Sequence, residues 1–152
     1  MDHLPEQAKV VIIGGGVIGC SVAYHLSKLG WQDIVLLERK QLTSGTTWHA
    51  AGLIGQLRAT LNMTKLAMYS TELYNNLESE TGIATGYKRN GSLSLALTEE
   101  RFEELRRGAS MARNFGLETE ILSNNEIQRR YPMLFVDDAV GGIFLPSDGQ
   151  AD

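Results

Sequence analysis

A run of apolar, mostly β-branched residues over 9–13 ends in Gly14-Gly15-Gly16, and after it Val22, Leu26 and Leu29 recur at helical spacing. That order constrains the fold more than any other feature of the chain. A buried parallel strand that turns sharply into a helix opens a βαβ unit. Gly30 stands where a left-handed cap would end the helix, and residues 34–37 (IVLL) read as the second parallel strand, closed by Glu38. The glycines fall in the pattern Gly14-x-Gly16-x-x-Gly19, and Glu38 lies nineteen residues beyond Gly19. A strand before, a helix after and an acid at the end of the next strand are the three contexts that make this spacing a dinucleotide-binding fingerprint. Gly14 would permit the tight turn, Gly16 would remove a side chain that blocks a pyrophosphate, and Gly19 would let the helix pack closely on the sheet. The first helical amides, from Val17 and Ile18 onward, would face the phosphate charge. Glu38 would accept hydrogen bonds from the adenosine ribose hydroxyls, and its charge would disfavour a 2′-phosphate.

Residues 39–62 are rich in Gly, Thr and Ala and lack a long periodic pattern, which reads as a functional loop with a short helical piece. Leu66, Tyr69, Leu73 and Leu77 mark one face of a helix over 63–81 that Gly82 stops, with the tyrosines expected in packing. Residues 91–97 alternate polar and apolar, the pattern of a half-buried antiparallel strand. Phe102, Leu105, Ala109 and Ala112 define a further amphipathic helix, with Gly116 as its stop. Residues 118–122 are a strand candidate. After them Ser123 and Glu126 have capping-box spacing, Leu122 and Ile127 form the matching staple, and the helix they start should end at Tyr131, before Pro132. Residues 139–145 are another strand candidate, ahead of the turn chemistry of Pro146-Ser147-Asp148-Gly149.

The expected fold class is therefore α/β. Residues 1–62 would form a Rossmann-like βαβ unit, the amino-terminal part of a nucleotide-binding domain; 63–152 would form a helical segment and the first part of an α+β antiparallel substrate or cap domain. Two parallel strands are too few to cover the helices of a doubly wound sheet. The chain is accordingly expected to be the amino-terminal part of a larger protein whose second domain continues beyond residue 152.

The 152 residues are 43% hydrophobic, enough for a core, and 14 Lys and Arg stand against 18 Asp and Glu. The net charge of −4 is scattered in short mixed groups, which argues against a nucleic-acid surface. No segment approaches the roughly 20 apolar residues of a membrane span. Asp2 and Glu6 precede Lys9 with no apolar run and no Arg-rich stretch, so the cytoplasm is the expected location. Cys20 is the single cysteine and is expected as a small buried thiol in the first helix. His and carboxylates are not clustered at metal-ligand spacing, and neither the nucleophile elbow of hydrolases nor a Walker lysine occurs. His3 falls in a terminus expected to be mobile and His25 in a helix, so neither is a catalytic candidate.

The fingerprint alone does not separate NAD from FAD, and the loop after Glu38 carries that distinction. Residues 11–19 (VIIGGGVIG), 36–39 (LLER) and 42–53 (LTSGTTWHAAGL), followed by 78–82 (ESETG), 90–93 (NGSL) and 146–152 (PSDGQAD), closely resemble the dimethylglycine and sarcosine dehydrogenase group of the FAD-dependent D-amino-acid-oxidase superfamily. The resemblance covers nearly the whole chain. It implies FAD as the cofactor, lying along Gly14, Gly16, Val17, Ile18, Gly19, Glu38, Arg39 and the loop from Gly45 to Leu53. It also implies a bond from a ring nitrogen of His49 to the 8α carbon of the flavin, an attack for which a neutral imidazole nitrogen is suited. Without the family, a histidine beside a tryptophan in a loop reads as a surface or hydrogen-bonding residue. Thr46 and Thr47 are expected to hydrogen-bond the cofactor, while Gly45, Ala50, Ala51 and Gly52 let the backbone approach it; packing of the loop on a helix is the alternative. Trp48 would cover the flavin or anchor the loop in the core, and anchoring is the preferred reading.

What the resemblance implies for function is an FAD-dependent oxidoreductase acting on CH–NH donors. Its substrate would be an N-methylated amino acid of the sarcosine or dimethylglycine type, oxidised by hydride transfer from an N-methyl carbon to an iminium. Water would release formaldehyde, or a folate held by a downstream domain outside these residues would capture the carbon. The electron acceptor is unknown. No substrate carboxylate clamp or general base is evident, so no catalytic residue is assigned and the chain by itself is expected to be inactive. One rival is a non-catalytic regulatory flavoprotein related to the pyruvate dehydrogenase phosphatase regulatory subunit, against which Trp48-His49-Ala50-Ala51 weighs. The other is an NAD-dependent dehydrogenase, which leaves the loop over 45–53 without a role.

Overall fold

The computed structural model describes residues 5–151, so His3 lies outside the described residues. The fold class is α/β, with partial sheets, in two compact units: one runs to Ala51 and the other starts at Gly52.

In the first unit, β1 (Val10–Ile13) and β2 (Ile34–Leu37) pair in parallel, Val10 opposite Ile34 through Ile13 opposite Leu37. Helix α1 (Val17–Lys28) connects them. Its end is a Schellman closure: Trp31 N–H donates to the Leu26 carbonyl and Gly30 N–H to that of Ser27, both at 3.0 Å, with Gly30 left-handed at φ 81°. The expected cap is therefore in place. The loop after β2 contains one 3-10 turn, Thr46–His49.

The second unit comprises β3 (Leu53–Ile54), α2 (Leu61–Thr81), β4 (Ser92–Ala96), α3 (Glu99–Asn114), β5 (Glu120–Leu122), α4 (Asn124–Arg130), β6 (Gly141–Leu145) and β7 (Gly149–Gln150). Its main sheet is antiparallel with β6 in the centre, flanked by β4 and β5; β3 and β7 pair separately. Leu122, Ile127, Val136 and Ala139 form one buried cluster, against which Leu93, Leu95 and Phe144 pack. Ala109, Ile143 and Leu145 form a second, joined by Leu57 and Leu105. The start of α4 follows its sequence signature: the Glu126 carboxylate accepts from the Ser123 N–H at 2.8 Å and from its hydroxyl at 2.6 Å, and Leu122 and Ile127 are buried together. Asp148 is buried and accepts from the Gln56 N–H at 2.9 Å and the Ser92 hydroxyl at 2.6 Å, tying three separate segments of the chain.

Three expectations need correction. Helix α2 begins at Leu61, two residues before its apolar periodicity, because the Thr60 hydroxyl accepts from the Met63 N–H at 3.4 Å and caps the extra turn. The strands β3 and β7 are additional to those expected. Cys20 is half-buried rather than buried, its Sγ directed at the Gly15 carbonyl at 3.5 Å.

Candidate cofactor site

The β1–α1 junction is built by backbone. Gly14 has φ 104°, a conformation that side chains oppose, and its N–H donates to the Leu37 carbonyl at 2.8 Å, so the turn begins on the ladder itself. A Cβ on Gly19 would collide with the Gly14 carbonyl oxygen, which is why the helix comes this close only with glycine there. The first helical amides have no partners within the helix, and the first turn of α1 holds no acidic residue to compensate them. Val17 N–H donates to the Thr47 hydroxyl at 3.0 Å. The Ile18 and Gly19 amides follow it at this positive helix end.

Glu38 sits at the end of β2 with both carboxylate oxygens engaged by backbone. Oε2 accepts from the Gly15 N–H at 2.8 Å and Oε1 from the Lys40 N–H at 2.9 Å. The Gly15 N–H, and after it the Lys40 N–H, hold the carboxyl below its ordinary value of 4.5. Each oxygen keeps lone-pair capacity for one more donor, which is what a ribose hydroxyl requires. The loop is drawn onto the same turn by the Thr43 N–H, which donates to the Gly15 carbonyl at 2.8 Å.

These groups surround a cavity of about 640 Å³. The structure brings Gly14, Gly16, Val17, Ile18, Gly19, Glu38, Arg39, Gly45, Thr46, Thr47 and Ala50 into its lining. Trp48, His49 and Ala51 are outside it. Trp48 is 67% exposed and its ring lies 4.0 Å from that of His49, tilted by 34°, so it does not anchor the loop in a core. Gly52 and Leu53 belong to the second unit. There the Gly52 carbonyl accepts from the Ala151 N–H at 2.8 Å and Leu53 pairs with Gln150, which gives both a role in joining strands.

Sequence reasoning missed Gly15, read only as a variable position of the fingerprint, although its N–H fixes Glu38 and its carbonyl takes Thr43. It also missed Ile12, Ile13, Val22, Lys40 and Ser44 in the lining. Val22 had a signal, since it stands one helical turn from Ile18. Lys40 had none, because it enters through its backbone contact with Glu38.

The arrangement can bind a diphosphate at a helix N-terminus, hold a ribose on a carboxylate and offset charge with Arg39 and Lys40. Among the described residues no group of three or more His, Cys, Asp or Glu is placed to hold a metal ion, and no helix is long and apolar enough to cross a membrane.

Over residues 9–152 the chain matches the family described as FAD dependent oxidoreductase. It is 50% identical over 145 residues to the mitochondrial pyruvate dehydrogenase phosphatase regulatory subunit of Mus musculus, covering 95% of this chain and 16% of that protein. It is 45% identical over 150 residues to the mitochondrial sarcosine dehydrogenase of Homo sapiens, covering 98% of this chain and 16% of that protein. Among solved structures it is similar to L-proline dehydrogenase from P. horikoshii, with a TM-score of 0.90 at 28% identity over 98% of this chain and 39% of the other. The chain thus spans 16% of the length of either curated relative.

Proposed function

Since the chain belongs to the FAD dependent oxidoreductase family, we propose that its first unit holds the ADP half of FAD in a protein that oxidises an N-methylated amino acid. The observation that carries the binding half is the close approach of Gly19 to the Gly14 carbonyl, which clears the helix end for a diphosphate beside Glu38. The residues present fit the group. The Ile18 and Gly19 amides take the phosphates while Val17 N–H holds the Thr47 hydroxyl beside them, Glu38 orients the ribose, and Arg39 and Lys40 balance charge. When bound, FAD supplies a two-electron acceptor for hydride; no residue of this chain is assigned to proton transfer. The substrate class is supported by the 45% identity to a sarcosine dehydrogenase, and dimethylglycine belongs to the same proposal. Whether the released one-carbon unit leaves as formaldehyde or passes to folate is read by assaying formaldehyde during turnover.

His49 is the proposed tether. It stands exposed on the 3-10 turn, beside the loop residues that line the cavity. With FAD bound, its neutral ring would supply the nitrogen lone pair for a bond to the flavin 8α carbon; one 8α C–H proton and the ring N–H proton would leave to water, and the two electrons would pass to the turnover acceptor. The full-length protein, precipitated in acid, should carry yellow flavin in the pellet, and His49→Ala should release it to the supernatant. Flavin wholly in the supernatant from the unmutated protein sinks the tether.

A second reading, a regulatory flavoprotein, is favoured by the 50% identity to the pyruvate dehydrogenase phosphatase regulatory subunit. Anaerobic addition of sarcosine or dimethylglycine separates the two, because an enzyme bleaches its flavin and a regulator does not. Family membership sets the NAD reading aside.

A further inference from the structure

The second unit holds a cavity of about 240 Å³ that shares no lining residue with the cavity of the first unit. Part of its wall is one face of α2, where Met68, Thr71, Glu72 and Asn75 follow at three- and four-residue steps. Tyr87 and Arg89 supply more. They flank Lys88, whose N–H and carbonyl pair with Gln150 at 2.7 and 3.0 Å, so the alternation of extended backbone sends both side chains to one side. Gln56 and Ser147 complete the lining.

Two buried polar atoms of this lining have no hydrogen-bond partner among the described residues: Gln56 Nε2 and the Tyr87 hydroxyl. Gln56 is 5% exposed and its backbone is fixed to Asp148, while the Tyr87 ring stacks with Tyr74 at 6.3 Å. Both are held in position, and an unmet buried donor is costly unless something supplies an acceptor. Burial pushes the Tyr87 phenol above its ordinary 10.0, with Arg89 opposing, so it remains an O–H donor at neutral pH. Arg89 and Glu72 face the same cavity and form no salt bridge with each other among the described residues. A simple anion would meet Glu72 and a simple cation would meet Arg89. A molecule carrying both charges satisfies both.

We propose that this cavity binds a small zwitterion, a free α-amino acid, with its carboxylate on Gln56, Tyr87 and Arg89 and its ammonium on Glu72. The volume is below the roughly 300–1,000 Å³ of pockets for drug-sized ligands, as a molecule of a few heavy atoms requires. A planar guanidinium is suited to grip a carboxylate through two parallel hydrogen bonds. The proposal does not depend on the flavin reading, since every lining residue belongs to the second unit.

Equilibrium dialysis of isotope-labelled glycine against the purified full-length protein tests it, with unlabelled acetate and methylammonium as competitors. Glycine should saturate, and each competitor should act at least about tenfold more weakly than unlabelled glycine. Arg89→Gln should weaken glycine binding at least about tenfold. Glu72→Gln should erase the preference for glycine over acetate. Gln56→Leu should weaken glycine, with circular dichroism to confirm folding; because this residue is buried, the Arg89 and Glu72 variants, both at exposed positions, keep the test open if it misfolds. Absence of saturable glycine binding, acetate competing as well as glycine, or unchanged binding in Arg89→Gln each overturns the proposal.

Discussion

Helix α3 of the second unit buries Ala109 and Ala112, whereas helix α1 of the first buries no residue. The contrast extends through both units. Every buried hydrophobic side chain among the described residues lies at Ala96 or later, while in the first unit Ile13 is 87% and Ile18 78% exposed. What is close-packed in the first unit is backbone: Gly14 against Gly19, and Gly15 against Glu38 and Thr43. One unit is organised by side chains that fill space and the other by glycines that leave space. Substitutions should therefore act on stability in the second and on binding in the first.

The largest effect is expected at Gly19. Gly19→Val places a side chain in the Gly14 carbonyl, and FAD should be absent from the purified protein by absorbance; retention of a full complement of flavin would break the comparison on its first-unit side. Ile127 is 0% exposed in the core, so Ile127→Ala should cost about 2–5 kcal/mol in urea unfolding. A loss under about 1 kcal/mol would mean the second unit is not held by its side chains.

The smallest effect concerns acid. The fold lowers the Glu38 carboxyl below 4.5, chiefly through the Gly15 N–H and then that of Lys40, so the ionised form is the one favoured. Its contribution is complete above 4.5 and is lost as pH falls through the lowered value. FAD retention should be flat from neutral pH to about that point and decline below it. Glu38→Gln should lose this part of the acid dependence; an unchanged acid profile would remove Glu38 from the account. Glu38 is only half-buried, which keeps the effect small.

Legibility in the sequence followed the range over which each signal acts. The Gly30 cap, the Gly82 stop and the Ser123–Glu126 pair depend on residues within a turn of one another, and all stand where the spacing put them. The fold class and the family were readable for the same reason. Strands β3 and β7 were not, because two residues carry no alternation and their pairing joins Leu53 to Gln150 across the whole second unit. In the site, the fingerprint glycines and Glu38 were readable from spacing. Gly15 was not, because its role lies in an N–H and a carbonyl that every residue but proline possesses. Trp48 was misjudged because an aromatic beside a loop reads as an anchor until its exposure is known.

The central position of β6 also sets an order in time. Strands β4 and β5 each pair with β6, yet both are synthesised before it, and β3 waits for β7 in the same way. At the roughly 5–20 residues per second of translation, β4 spends several seconds on the ribosome without its neighbour. During that interval Leu93 lacks Phe144 and Leu95 lacks Gly142 opposite it, and the nascent chain presents an open strand edge. Formation of β6 and β7 thus closes the strand edges that β4, β5 and β3 present until then.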